Sequence, residues 1–140
     1  MNDPLKLENQ LCFPLYACAK EVVRAYTPLL EPLGLTYTQY IAMMVMWEHK
    51  TISIKDLGHK LMLDSGTLTP MLKKMEKNGW LKRERSRYDE RVVVLTLTDG
   101  GAQLKEKAAE IPLKMAQSVK LNNEEASLLY NLLYKLLKNF

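Results

Sequence analysis

Apolar residues recur at helical spacing through most of this chain, and the pattern changes once, after Gly79, where alternation replaces it. From about Leu11 to Leu30 the spacing predicts a helix with Pro14 near its start, and Pro28 and Pro32 closing its far end. Thr38 can cap a second helix, YIAMMVMWEH, which is apolar almost all round and so belongs in a core. Ser53 opens a short helix, IKDLGHKL, and Met62-Leu63 makes a brief turn. Asp64 then caps a further helix that stops at Asn78-Gly79. Two helices joined by so short a turn are a helix-turn-helix.

Beyond Gly79, a charged run to Arg87 leads to a turn at Tyr88-Asp89-Glu90, and Arg91 to Leu97, RVVVLTL, is a β-branched strand. A hairpin directly behind a helix-turn-helix makes a winged helix. Thr98 caps the next helix, which has two early glycines, and Asn122 with Glu125 forms a capping box for the last one. That last helix sets Leu128, Leu129, Leu132, Leu133, Leu136 and Leu137 on one broad stripe, wider than a lone domain needs to cover. The expected architecture is mainly α with a small β-wing in a single domain of residues 1–140. Residues 38–98 would form the DNA-binding region, and 8–34 with 99–140 would supply the helices of a homodimer interface.

Charge sharpens this picture. Between Lys73 and Arg91 stand eight Lys or Arg and four acids, a net of +4 that equals the formal charge of all 140 residues. The remainder is balanced, so the positive field sits on the helix and hairpin, as a phosphate-binding protein requires. Composition adds mainly exclusions. The chain, 47% hydrophobic, is long enough for one core. It shows no transmembrane run or signal peptide, and a cytoplasmic location is expected. Cys12 and Cys18 are too few for a disulfide framework, and with His49 and His59 they lack zinc-ligand spacing, so no metal or cofactor is called for. An enzyme is not expected either, since neither histidine falls in a readable triad or peroxidase motif.

Helical geometry assigns roles within the basic region. With Leu68 inward and 100° per residue, Met71, Leu72 and Met75 fall beside it, whereas Gly66, Pro70, Lys73, Lys74 and Lys77 fall opposite. Ser65, Thr67 and Thr69 are small and polar enough to approach base edges, although the same residues serve equally well as helix-start chemistry. Pro70 can meet a thymine methyl, and Lys73 and Lys74 suit phosphates. In the wing, Arg83 and Arg85 suit the DNA backbone. Arg87, Asp89 and Arg91 form a tip in which an arginine can enter a narrow minor groove with Asp89 fixing its direction.

The segments LCF (11–13), LTYTQY (35–40), LDSGTLTPMLKKMEKNG (63–79) and DER with the following LTLTDGG resemble MarR-family winged-helix repressors, and within them the organic-hydroperoxide sensors, over essentially the whole chain. The resemblance implies a homodimer that binds a pseudopalindromic double-stranded operator and releases it when a cysteine is oxidised. It makes Cys12 the reacting thiol, Tyr26 and Tyr37 its hydrogen-bond donors, and Arg91 the inserted wing residue. An organic hydroperoxide and a small thiol would be the oxidation partners.

Spacing adds a constraint of its own. Tyr26 is fourteen residues from Cys12, about 21 Å along an unbroken helix, so the two can meet only across a dimer with antiparallel first helices. Cys18 lies roughly 9 Å from Cys12 and about 120° round, beyond the reach of an intrachain disulfide, and is read as a small structural residue, with a bridge across two subunits left open. With no further cysteine near the C-terminus, the chain resembles the one-cysteine sensors, whose chemistry ends in a mixed disulfide or overoxidation. Pro14, two residues past the thiol, departs from the pattern and is expected to start or bend the helix there. Two other readings remain open at this point: a non-redox repressor with a phenolic or lipid-like effector among Tyr16, Tyr26, Tyr37 and Met43, and a general DNA-packing factor.

Overall fold

The computed structural model describes residues 3–140, which divide into two compact units, the first ending at Ala109 and the second spanning Glu110–Phe140. In the first unit a short 3-10 turn, Leu7–Asn9, precedes helix α1 (Cys12–Leu30). A second 3-10 turn, Glu31–Leu33, leads through Gly34 at φ 75° into α2 (Tyr37–His49). Strand β1 (Thr51–Ser53), helix α3 (Ile54–Leu61) and helix α4 (Ser65–Lys77) follow. Strands β2 (Leu81–Arg85) and β3 (Val93–Leu97) then lead to helix α5 (Asp99–Ala108).

Local chemistry explains most of these boundaries. Pro14 sits in the first turn of α1, where an amide has no intrahelical acceptor in any case, so the helix starts at Cys12 and is not broken by it. Pro28, expected to end α1, lies inside it instead; so near the C-terminus it removes one bond only, and the helix runs on to Leu30. The cap of α2 is Thr36 rather than Thr38. Thr36 Oγ1 accepts from Gln39 N at 3.2 Å while Gln39 Oε1 accepts from Thr36 N at 3.0 Å, a reciprocal pair that Thr38 cannot form with Ile41 three residues on. Ser53 and Asp64 cap α3 and α4 as the sequence predicts, accepting from Asp56 N at 3.1 Å and Thr67 N at 2.7 Å.

The α3–α4 turn depends on two unusual positions. Met62 adopts a left-handed conformation, φ 55°, which for a non-glycine residue costs on the order of 1 kcal/mol. A Cβ on Gly58 would come within 3.0 Å of both the Leu63 carbonyl and Leu68 Cδ1, so glycine lets the two helices close on each other.

The strands form one antiparallel sheet in the order β1-β3-β2, with Ile52 opposite Leu95 and Arg83 opposite Leu95 on the other side. The three-residue β1 is absent from the sequence reading, and β3 is shorter than expected because Arg91 and Val92 belong to the turn, where Val92 N donates to Asp89 O at 3.0 Å. Beneath the sheet and helices lies a core that includes Tyr40, Met43 and Met46 from α2, Leu57 from α3, Leu68, Leu72 and Met75 from α4, and Leu95 from β3. Removing any of the leucine side chains should cost about 2–5 kcal/mol.

The second unit holds α6 (Ile111–Val119) and α7 (Asn123–Leu137), separated by Lys120 at φ 57°. Asn122 and Glu125 make the predicted capping box, with bonds of 2.8 and 3.1 Å. Along α7, Leu128, Leu129, Leu132, Leu136 and Leu137 are exposed and Leu133 is half-buried.

Candidate functional site

The outward face of α4 matches the 100° reading. Leu68, Leu72 and Met75 are buried and Met71 is half-buried, while Ser65, Gly66, Thr67, Pro70, Lys73, Lys74 and Lys77 are exposed and Thr69 is intermediate. Pro70 lies inside a helix that continues on both sides of it. The carbonyl it leaves unpaired is that of Gly66, four residues back on the exposed face, where water can satisfy it. The hydrogen bonds from Thr67 hold the capping carboxyl of Asp64 below its ordinary range.

Beside this helix start, Ser65 and Thr69 line a groove of about 800 Å³ together with Arg91 from the wing and Lys55 and His59 from α3. The fold thus brings the helix start and the wing arginine to one place. Neither Lys55 nor His59 is among the DNA-contact residues expected from the sequence, because only the turn between α3 and α4 brings them to the groove.

The wing is braced by its own side chains. Arg91 Nε donates to Asp89 Oδ1 at 3.1 Å and its Nη2 to Oδ2 at 3.2 Å, a two-pronged pair that leaves the Arg91 side chain 90% exposed. These contacts hold Asp89 below the usual carboxylate range. Arg85 Nη1 donates across the hairpin to Glu90 O at 2.7 Å, and Arg87 is exposed beside Tyr88, whose side chain is almost wholly in solvent. Arg83 is placed differently. Its guanidinium meets Glu76 Oε1 at 3.4 Å, its backbone amide donates to Glu76 Oε2 at 2.9 Å, and it is only one-quarter exposed. Glu76, the only acid on α4, therefore ties that helix to the wing; its isolation among Lys73, Lys74 and Lys77 is the signal that could have found it.

The three residues of the expected sensor do not meet in one chain. Tyr26 and Tyr37 stack with ring centroids 4.8 Å apart, and both approach Tyr40, at 5.7 and 6.3 Å. Burial, reinforced by Tyr37, raises the Tyr26 phenol, and burial pushes Tyr40 up to about 12, so both stay neutral donors at neutral pH. Cys12 is exposed on the first turn of α1, and the unbroken helix sets it about 21 Å from Tyr26. Cys18 is exposed as well, rather than packed as a small core residue. Met43 is fully buried and Tyr16 is exposed under Lys20 Nζ, 5.1 Å from its ring centroid, so the four residues suggested for an effector pocket have quite different surroundings.

A helix-turn-helix followed by a braced basic wing defines a MarR-like winged-helix protein. Comparison with known proteins carries this further. The profile of the family described as transcriptional regulator SarA/Rot matches residues 24–108. The organic hydroperoxide resistance transcriptional regulator of Bacillus subtilis is 51% identical over 136 residues, covering 97% of this chain and 92% of that one. AbfR of Staphylococcus epidermidis has been solved reduced on DNA (38% identity, TM-score 0.80, 95% and 93% of the two chains) and with its disulfide formed (37%, 0.67, 93% and 92%). MarR of E. coli in its apo form matches with 27% identity and a TM-score of 0.73 over 91% and 97%. The chain belongs to the MarR/SarA family of winged-helix transcriptional regulators, which are not enzymes. Among the described residues no helix is long and apolar enough to cross a membrane.

Proposed function

We propose that this regulator is a homodimeric repressor that holds a pseudopalindromic operator in its reduced state and releases it when an organic hydroperoxide oxidises Cys12. The observation that carries the reading is the division of the sensor along α1: an exposed thiol at one end and the stacked Tyr26–Tyr37 pair at the other, too far apart to meet within one chain. Two antiparallel copies of α1 would bring the Cys12 of each chain to the phenols of the other. The exposed Phe13, Leu15, Tyr16, Val22 and Val23 on α1 supply an apolar surface that such a pairing would cover.

The chemistry balances without a cofactor. The Cys12 thiolate attacks the terminal peroxide oxygen, the O–O bond breaks, and the alkoxide leaves and takes a proton to become the alcohol. Sulfur is thereby oxidised to sulfenic acid, which a small thiol converts to a mixed disulfide with loss of water. The phenol hydroxyls of Tyr26 and Tyr37 would donate to the thiolate and stabilise it. On the DNA side, the N-terminal part of α4 (Ser65, Thr67, Thr69, Pro70) would face base edges. Lys73, Lys74, Arg85 and Arg87 would contact phosphates with Arg83 at their inner margin, and Arg91, oriented by Asp89, would enter the minor groove.

Two findings in relatives support the switch. AbfR is known both reduced on DNA and with a disulfide formed, and this chain superposes better on the former, 0.80 against 0.67. AbfR has also been solved overoxidised on DNA, which favours a disulfide over overoxidation as the releasing form. The test is operator affinity at fixed salt, with and without one equivalent of cumene hydroperoxide plus a small thiol, for wild type and Cys12→Ser. Release by the wild type alone is expected; retention by both would leave a repressor with some other effector.

A further inference from the structure

Both tryptophans of the chain, Trp47 and Trp80, lie at one joint of the first unit. Trp47, near the end of α2, donates its indole Nε1–H to the Gly101 carbonyl in α5 at 2.8 Å, joining residues 54 apart in sequence. Gly101 backs directly onto Trp80: a Cβ there would overlap the Trp80 carbonyl oxygen, and one on Gly100 would come to 2.9 Å from the Gly79 carbonyl oxygen. Thr98 locks the same contact, since its amide donates to the Trp80 carbonyl at 3.2 Å and its hydroxyl donates to that of Gly79. Asn78, Gly79 and Trp80 are the whole link between the recognition helix α4 and the wing strand β2, and Gly79 is left-handed at φ 81°.

The other side of Trp47 faces the tyrosines. Its ring meets Tyr40 edge-on at 6.5 Å, and Tyr40, 1% exposed, touches both Tyr26 and Tyr37. An uninterrupted run of packed rings therefore leads from the tyrosine pair to the link that aims the DNA-reading elements. Close-packed side chains of this kind shift between discrete arrangements rather than deforming smoothly, which is what a coupling element needs.

We propose that Trp47 is the positioning residue that passes the state of the Tyr26–Tyr37 pair to the recognition helix and wing, by holding Gly101 against the Gly79–Trp80 link. The upstream end of this route rests on the redox reading above; the downstream end stands without it. Trp47 stands on α2, outside both α4 and the wing strands, and so would act through the joint.

Trp47→Phe keeps a ring in place and removes the N–H, while the Gly101 carbonyl keeps its place in the α5 hydrogen-bond ladder. In this variant the rate of Cys12 oxidation by cumene hydroperoxide should stay within about twofold of wild type, whereas the ratio of reduced to oxidised operator affinity should fall by about tenfold or more. A merely structural role would lower thermal stability and both affinities together and leave the ratio unchanged, and that result would overturn the proposal. A second arm needs no oxidant. In Trp80→Phe the emission comes from Trp47 alone, and adding operator DNA to the reduced protein should shift it; an emission indifferent to DNA would overturn the downstream half. If wild-type affinity ignores the oxidant while the emission still responds to DNA, the redox reading fails and the joint survives.

Discussion

The wing and the first helix are both exposed, yet what they expose is of opposite kind. Arg85 and Arg91 extend into water with their directions already fixed by Glu90 and Asp89 of the same hairpin. Along α1, by contrast, Leu11, Phe13, Leu15, Tyr16, Val22 and Val23 lie open to solvent around a thiol set about 21 Å from Tyr26. Charged side chains are at ease in water, whereas a run of large apolar ones on a helix marks a surface that something covers. The contrast teaches that, on the reading proposed above, the DNA-reading surface is finished within one chain and the sensing surface only by a second copy.

That contrast can be broken most severely at the wing. Arg91→Ala should lower operator affinity by ~2–3 kcal/mol, about a hundredfold, with the dimer intact in sedimentation, because the loss is confined to a finished surface. Unchanged affinity in fluorescence anisotropy would remove the wing tip from the interface. A smaller effect is expected at the other region: Tyr26→Phe with Tyr37→Phe should slow Cys12 oxidation by roughly tenfold, the scale of a lost hydrogen bond to a charged group. Equal rates of thiol loss on adding hydroperoxide would detach the tyrosine pair from the thiol.

The smallest effect sharpens the claim that the wing is preorganised. Arg91 holds the Asp89 carboxyl below its ordinary value of 3.8, so their pairing is fully present above that pH and is lost as pH falls through the lower value in the folded protein. The Arg91 Nε–H resonance should accordingly titrate with a midpoint below 3.8. A midpoint at or above it would mean that the pair does not form in solution.

Much of the helix-turn-helix and wing was legible because its determinants are local. The caps at Ser53, Asp64 and Thr98 act over three residues, the inward face of α4 follows from 100° steps, and the pair Asp89–Arg91 lies within one turn. The cap of α2 is local too: the Thr-x-x-Gln box from Thr36 to Gln39 is contiguous in sequence, and it takes precedence over Thr38, which has no such partner. Other features had no such signature. Arg83 looks like its neighbours in sequence, and only the approach of Glu76 from α4 sets it apart.

The sequence by itself determined most of the helices, the turn between α3 and α4, the basic hairpin and the location of the charge, because periodicity, capping and net charge are properties of contiguous residues; the single helix expected after Thr98 is in fact two, α5 and α6, divided before Ile111. Tertiary structure alone decided the rest. It made Thr51–Ser53 a third strand by offering it the free edge of β3, and it required glycine at positions 100 and 101 because the backbone of Gly79 and Trp80 lies against them. It also gathered Tyr26, Tyr37, Tyr40 and Trp47 into one packed series. Pairing, close approach and burial depend on segments distant in the chain, and no short stretch of sequence carries their signal.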